Sequence, residues 1–330
     1  ATKNDVLGPD TAVINFRDLA ESAGGRIAPG RVFRSANPHT ANVKDACRIV
    51  DELRVRTVLD LRSLNEEEGF EPSSALTARM KRTHTAASRG ATPVHAAGIK
   101  IVPAADVCEQ EPGLGVRDPR RAVHVRLPLL NRRKGTTRLF ALLPRHMKAY
   151  ALLCCCLLGR AGIARLLYSH ALRPLGLLGL YAAILDESSE LVARVLREVV
   201  VSLRAGAVLL HCSAGKDRTG LISMLLLAVA GASTEQIVLD YERTEEWYSE
   251  LSDAVRHSFG ADADQRMEEM GDEILRAPGD TMRALLAHIE RSYGSVTDYL
   301  GWIGFSDFEQ KELAGQLGRP AEDAPAAYVT

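Results

Sequence analysis

The apolar residues of this chain follow two rhythms. Val13-Ile14-Asn15-Phe16 and Arg31-Val32-Phe33-Arg34 are short runs on either side of the Gly24-Gly25 pair, which predicts two short strands separated by a turn. Thr40 stands where it would cap a helix running to about Leu53, and Thr57 to Leu61 follows as a buried strand. Strand, helix and strand in that order predict a βαβ unit and a parallel sheet. From Ser188-Ser189-Glu190 the spacing becomes helical, with Leu191, Val192, Val195, Leu196, Val199, Val200 and Leu203 on one face. That helix leads into a second buried strand, Ala207-Val208-Leu209-Leu210. An apolar helix to Ala230 then stops at Gly231, and Ser233 with Gln236 has the form of a capping box opening the next one. Residues 233–317 read as several helices broken near Gly260, Gly271, Pro278-Gly279 and Gly304. The expected fold is α/β: a central, mostly parallel sheet flanked by helices, with a helical insertion and a helical C-terminal layer.

Composition changes this picture in the middle of the chain. At 330 residues the chain exceeds the usual single-domain size, yet no Pro/Gly/Ser linker divides it, so we read residues 1–330 as one elaborated domain. Residues 87–185 stand apart as an insertion. Its first part, 87–120, has little periodicity and several Pro and Gly, as a long surface loop would. Residues 119–185 carry twelve Lys and Arg, from Arg120 to Arg173, with no Asp or Glu. Two readings stay open for this basic, leucine-rich stretch. It lies against an anionic membrane surface, or it forms a lid whose cations face the acidic run Asp240, Glu242, Glu245, Glu246, Glu250 and Asp253. The Tyr150 to Leu158 run, with Cys154-Cys155-Cys156 inside it, is too short to span a bilayer, which takes about 20 apolar residues. Across the whole chain 41 basic residues balance 42 acidic ones, so nothing draws it toward nucleic acid. Six cysteines, three of them adjacent, make neither a disulfide framework nor a zinc spacing, and no signal peptide is visible at the start. A reducing, cytoplasmic setting is expected, with peripheral membrane contact under the first reading.

The chemistry concentrates in His211-Cys212-Ser213-Ala214-Gly215-Lys216-Asp217-Arg218-Thr219-Gly220, set between the second buried strand and the apolar helix. A loop bent over a helix N-terminus aims its amides at one point, where the axial dipole also favours negative charge. Ser213, Ala214, Gly215, Lys216, Asp217 and Arg218 would line that point around a phosphate. Thiols ordinarily titrate near 8.5, but a helix N-terminus and a guanidinium bring such a group to about 3.5 to 7.5. Cys212 is therefore the expected nucleophile, and Thr219 the expected hydroxyl donor to its thiolate. The planar fork of Arg218 suits two phosphoryl oxygens better than a lysine does. Gly215 and Gly220 allow close backbone approach to the anion. His211 is expected to hydrogen-bond backbone around the nucleophile. A nucleotide-binding P-loop is excluded, because Asp217 follows Gly215-Lys216 where Ser or Thr is needed.

With these residues the decapeptide resembles the catalytic loop of the atypical tyrosine/serine phosphatases, cysteine-dependent enzymes whose bacterial members act on phosphoproteins and phosphoinositides. Asn15 to Leu19, Pro29 to Ala36, Arg56 to Ser63 and Tyr293 to Leu300 resemble further motifs of that family, in the family's order. The likeness covers roughly residues 11–85 and 190–317. It implies a protein-tyrosine phosphatase working through a cysteinyl-phosphate, with phosphoserine, phosphothreonine and phosphoinositides as further substrates and with Arg34 and Arg62 in supporting places. Lys216 resembles the extra cation of cysteine phosphatases that accept phosphoinositides. The leaving oxygen needs a proton. Asp217 has a counterpart in the resembled family that is a candidate donor, whereas Asp60 ends its strand at the sheet edge where ligands of open sheets bind; both stay open. Asp217 has a second reading, as the group that orients Arg34 or Arg218. Neither metal nor cofactor is required by this chemistry. The competing class is a phosphate-binding module without turnover, docked on membranes through the basic insertion.

Overall fold

A computed structural model of the chain describes residues 6–8, 10–63, 75–76, 79–83, 122–129, 173–259 and 275–319. Six strands form one sheet in the order β1-β2-β6-β3-β5-β4: β1 (Arg17–Asp18), β2 (Val32–Ser35), β3 (Val55–Asp60), β4 (Met80–Thr83), β5 (Ala122–Arg126) and β6 (Ala207–His211). All neighbours run parallel except β1, which pairs antiparallel with β2. Strand β6 is central, with Leu210 opposite both Arg34 of β2 and Leu59 of β3.

The period-2 alternation of the strands divides the core in two. Val208 and Leu210 of β6, with Val32, Leu59 and Val125, face a thick helical layer. It comprises α2 (Arg173–Glu187), α3 (Ser189–Leu203), α4 (Asp217–Val229), α5 (Thr234–Glu242), α6 (Gly279–Tyr293), α7 (Val296–Trp302) and α8 (Asp307–Gly318). Ala207 and Leu209, with Phe33, Val55 and Val58, face the other way onto α1 (Val43–Cys47) and the turn that prolongs it to Glu52. A sheet covered on both sides is what parallel strands with apolar residues at successive positions require. Among the described residues, no helix is long and apolar enough to cross a membrane.

Several expected elements hold. The α3 face, the α4 stop at Gly231 (φ 81°) and the Ser233–Gln236 capping box are all present. Others shift for local reasons. Val13 to Phe16 is not a strand, because Asn15 sits at φ 58° and turns the chain there, so pairing starts at Arg17. Thr40 does not cap the helix; its hydroxyl donates to Ala12 carbonyl at 2.8 Å. The cap is Asn42, in a box with Asp45. Described parts of the 87–185 stretch are core elements: β5 lies inside the sheet, and Tyr181, Ile184 and Leu185 of α2 are buried in its main core. The expected breaks at Gly260 and Gly271, the 87–120 loop and Cys154 to Cys156 lie outside the described residues. The acidic run is not a face for the insertion's cations throughout, since Asp240 is buried inward and Glu245 binds the Ala277 amide and Arg276.

Candidate active site

The loop from Cys212 to Lys216 carries β6 into α4, and its carbonyls are held from outside. Asn37 amide donates to Ser213 carbonyl at 3.0 Å, Asn15 Nδ2 to Ala214 carbonyl at 3.1 Å, and Arg34 Nη2 to Gly215 carbonyl at 2.7 Å. Three successive carbonyls tied outward leave the amides for the concave side, the form of an anion nest. Gly215 is needed twice over: its φ is 68°, and a Cβ there would stand 2.4 Å from the Ser35 carbonyl group. Gly220 serves a different purpose from the one expected. A Cβ there would meet Tyr241 at 3.3 Å, so its bareness lets α4 pack on Tyr241.

Cys212 is buried at the base of this loop, 1% exposed. Arg218, in the first turn of α4, donates from Nη2 to Ser213 Oγ at 3.3 Å across the loop. The expected bond from Thr219 to the thiolate is not formed: Thr219 Oγ1 is buried and has no hydrogen-bond partner among the described residues. His211 Nδ1 lies 3.3 Å from Cys212 carbonyl, to which it donates in the Nδ1–H tautomer. Burial holds the His211 imidazole down at about 3 despite Asp60 nearby, so the ring is neutral.

Behind the loop lies a charge network that sequence reading missed. Asp240 of α5 accepts from Arg34 and, at 3.1 Å, from Arg17 Nε, with all three side chains at most 4% exposed. Arg17 also bonds Asn15, whose amide holds the loop. Burial and the neighbouring Arg34 lower Arg17 to about 10. Burial raises the Asp240 carboxyl, but the two guanidinium groups outweigh it and hold it below the usual range. Asp217 therefore does not orient Arg34; Asp240 does.

Asp217 takes part in a different cluster. Its Oδ1 accepts from Lys216 Nζ and from Tyr181 hydroxyl, each at 2.6 Å, and Tyr181 hydroxyl lies 2.7 Å from that of Tyr241. Lys216 is 2% exposed, so its ammonium is held inside this cluster. Burial pushes Asp217 up, while Lys216 and Tyr181 bring it to a net value below the ordinary one. Asp60 ends β3, in register with His211 of β6. Its carboxylate takes a two-pronged contact from Arg62 (2.9 and 2.7 Å) and the Arg62 amide at 2.9 Å. Burial raises Asp60, yet the groups around it, Arg62 among them, hold it well below the usual range.

This cysteine-bearing loop between a strand and a helix is accompanied by a match along the chain. A sequence model described as the tyrosine phosphatase family fits residues 10–318. This chain belongs to the tyrosine phosphatase family. Individual members align over shorter stretches. A tyrosine-protein phosphatase of Nostoc commune is 34% identical over 125 residues, 36% of this chain and 42% of that protein. The triple specificity protein phosphatase PtpB of Mycobacterium tuberculosis is 31% identical over 134 residues, 38% of this chain and 49% of its own. The chain thus spans under half the length of these curated relatives. Within this family member, Tyr181 and Tyr241 had no signal in the sequence, while Arg17 stood in the Asn15 to Leu19 motif and Asp240 in the acidic run without the roles the fold gives them. Each meets its partner across at least 36 positions, and only the packing of α2 and α5 brings them in.

Proposed function

We propose that this chain is a phosphoric monoester hydrolase, a protein-tyrosine phosphatase with a cysteinyl-phosphate intermediate, built as one domain. The observation that carries this reading is Cys212 at the base of a loop whose carbonyls are tied outward and whose opening is crossed by Arg218. Cys212 Sγ attacks phosphorus in line, the S–P bond forms as the ester P–O bond breaks, and Arg218 with the loop amides stabilises the equatorial oxygens. Water then attacks phosphorus, releasing phosphate and the thiolate. A thiolate nucleophile functions only where it stays reduced, which supports a reducing, cytoplasmic setting.

Asp217 is the acid in this reading. Asp60 is locked to Arg62 and held far below neutrality, so it has no proton to give. Asp217 is ionised in the free protein as well, but a phosphate dianion beside it repels that charge and competes for Lys216, which raises its affinity for a proton. After donating to the leaving oxygen it takes a proton from the attacking water. Asp217→Asn is expected to lower turnover about 100-fold for alkyl phosphates and much less for a nitrophenyl ester, whose leaving group needs no proton. Equal losses measured on both ester types would remove Asp217 from this role.

Phosphoserine, phosphothreonine and phosphoinositides extend the proposed range. Support comes from Lys216 in the loop and from a relative named as a triple specificity phosphatase. The acid-free basic stretch supports peripheral contact with anionic membrane. Cutting out residues 119–185 would also remove β5 and α2, so charge must be changed instead. Replacing Arg132, Arg133 and Lys134 by Gln is expected to weaken sedimentation with phosphatidylserine vesicles roughly tenfold or more, each cation contributing about 1 kcal/mol. Unchanged sedimentation at low and high salt would refute the contact.

A further inference from the structure

We propose that His39, His124 and His211 form a three-histidine site for a late first-row divalent transition metal, zinc in the first instance, beneath the phosphate loop. The rings come from three elements that the sheet brings together. His39 lies in the turn after β2, His124 in β5, and His211 ends β6 immediately before Cys212. One ring nitrogen from each lies within 4.8 Å of the others. The ring centres make a nearly equilateral triangle with sides of 5.9, 5.9 and 6.3 Å. An ion bonded at about 2.0 to 2.1 Å to each nitrogen sits ~3.2 Å from each ring centre, which places such centres roughly 5.2 to 5.5 Å apart. Nitrogens bonded to one ion at that length stand about 3.4 Å apart, so the rings turn and draw in from a present spacing of at most 4.8 Å.

The orientation of His211 points the same way. Its Nδ1–H donates to Cys212 carbonyl, which leaves a lone pair on Nε2. A backbone carbonyl on the opposite nitrogen is the usual support of a metal-bound imidazole. Nε2 is buried without a hydrogen-bond partner among the described residues and faces Asp60 Oδ1 at 3.9 Å. Two electron-rich atoms turned toward one another in a dry interior are relieved by a cation between them. Asp60 Oδ2 is also 3.6 Å from His124 Nε2, so the carboxylate supplies negative charge at the same point, offset in part by Arg62. Imidazoles with one carboxylate select zinc, cobalt or nickel over magnesium and calcium, which prefer all-oxygen sites. Half-buried His39 gives the ion its way in. Bound there, the ion ties the turn after β2, the middle of β5 and the end of β6 together beside Cys212 and takes no step in phosphoryl transfer.

Cobalt(II) tests the site independently of catalysis. Tag-free, chelator-treated protein should take up one equivalent with a visible ligand-field band, zinc should displace it, and zinc should raise the melting temperature. His124→Gln should weaken cobalt binding about 100-fold or more and abolish the zinc-dependent melting shift. Cys212→Ser should keep both the band and the shift. Should His124→Gln fail to fold, by circular dichroism, His39→Gln at the half-buried position gives the same readout. Loss of the band in Cys212→Ser with retention in His124→Gln would assign the metal to the thiol and overturn the proposal. So would uptake that neither histidine variant alters. Because none of these measurements involves turnover, an inactive protein that binds cobalt through the histidines refutes only the phosphatase reading.

Discussion

Cys212→Ser is expected to lower turnover of an aryl phosphate by on the order of 10⁴ to 10⁶-fold while leaving oxyanion binding in place. Removing a nucleophile from a covalent mechanism forfeits the intermediate, and losses of this size follow in other hydrolases. Binding is a separate matter in this loop. The carbonyls of Ser213, Ala214 and Gly215 are anchored by Asn37, Asn15 and Arg34, none of which contacts the thiol in doing so. Steady-state kinetics with a nitrophenyl ester, alongside phosphate binding by calorimetry, separates the two. A variant that hydrolyses at the wild-type rate would eliminate the cysteinyl-phosphate. A wild type that binds phosphate tightly and turns nothing over would favour the binding-module alternative.

Asp240→Ala is expected to destabilise the fold by about 3 to 5 kcal/mol, more than any other single change behind the loop. It leaves Arg17 and Arg34, both almost wholly buried, facing each other without their shared anion. Arg34→Met should cost less, because Asp240 then still pairs with Arg17. The two changes should be strongly non-additive in a double-mutant cycle. Since Arg34 also holds Gly215 carbonyl, the Asp240 variant should lose phosphate affinity along with stability. The pH dependence has a definite sign. The Asp240 carboxyl is lowered in the folded state, so its contribution is fully present above the unfolded value of about 3.9 and disappears as pH falls through the lower folded value. Urea melts of wild type and variant should differ by a constant amount from pH 7 to 5, and by less below about pH 4. A gap under 1 kcal/mol at pH 7 would show that the network contributes little.

Much of the architecture is legible in the sequence. The helical spacing of Leu191 to Leu203, the apolar run Ala207 to Leu210 and the capping box at Ser233 are local patterns. The 3.6 period, the short continuous apolar run and the cap read directly as α3, β6 and α5. The first strand was misread because an apolar run says nothing of backbone sign, and Asn15 takes a left-handed φ to reach Ala214 carbonyl. Asp240 passed for one acid among several in a surface run. Its burial depends on which face of α5 meets the end of the sheet, and its partners are 206 and 223 positions away.

The division is physical. Sequence alone marked out the candidate nucleophile, the candidate arginine fork and the glycine at Gly215, because a loop of the proposed kind is built from consecutive residues over one helix N-terminus. It also determined the α/β class, through the two periodicities. Tertiary structure alone decided what surrounds that loop. Asp217 meets Tyr181, Arg34 meets Asp240 and His211 meets His39 and His124 only when separate elements pack, and no local pattern records which buried polar groups will share a point. The two candidate acids are the clearest instance. Both are aspartates beside apolar runs in sequence, whereas in the fold one is clasped by Arg62 and the other lies between Lys216 and Tyr181.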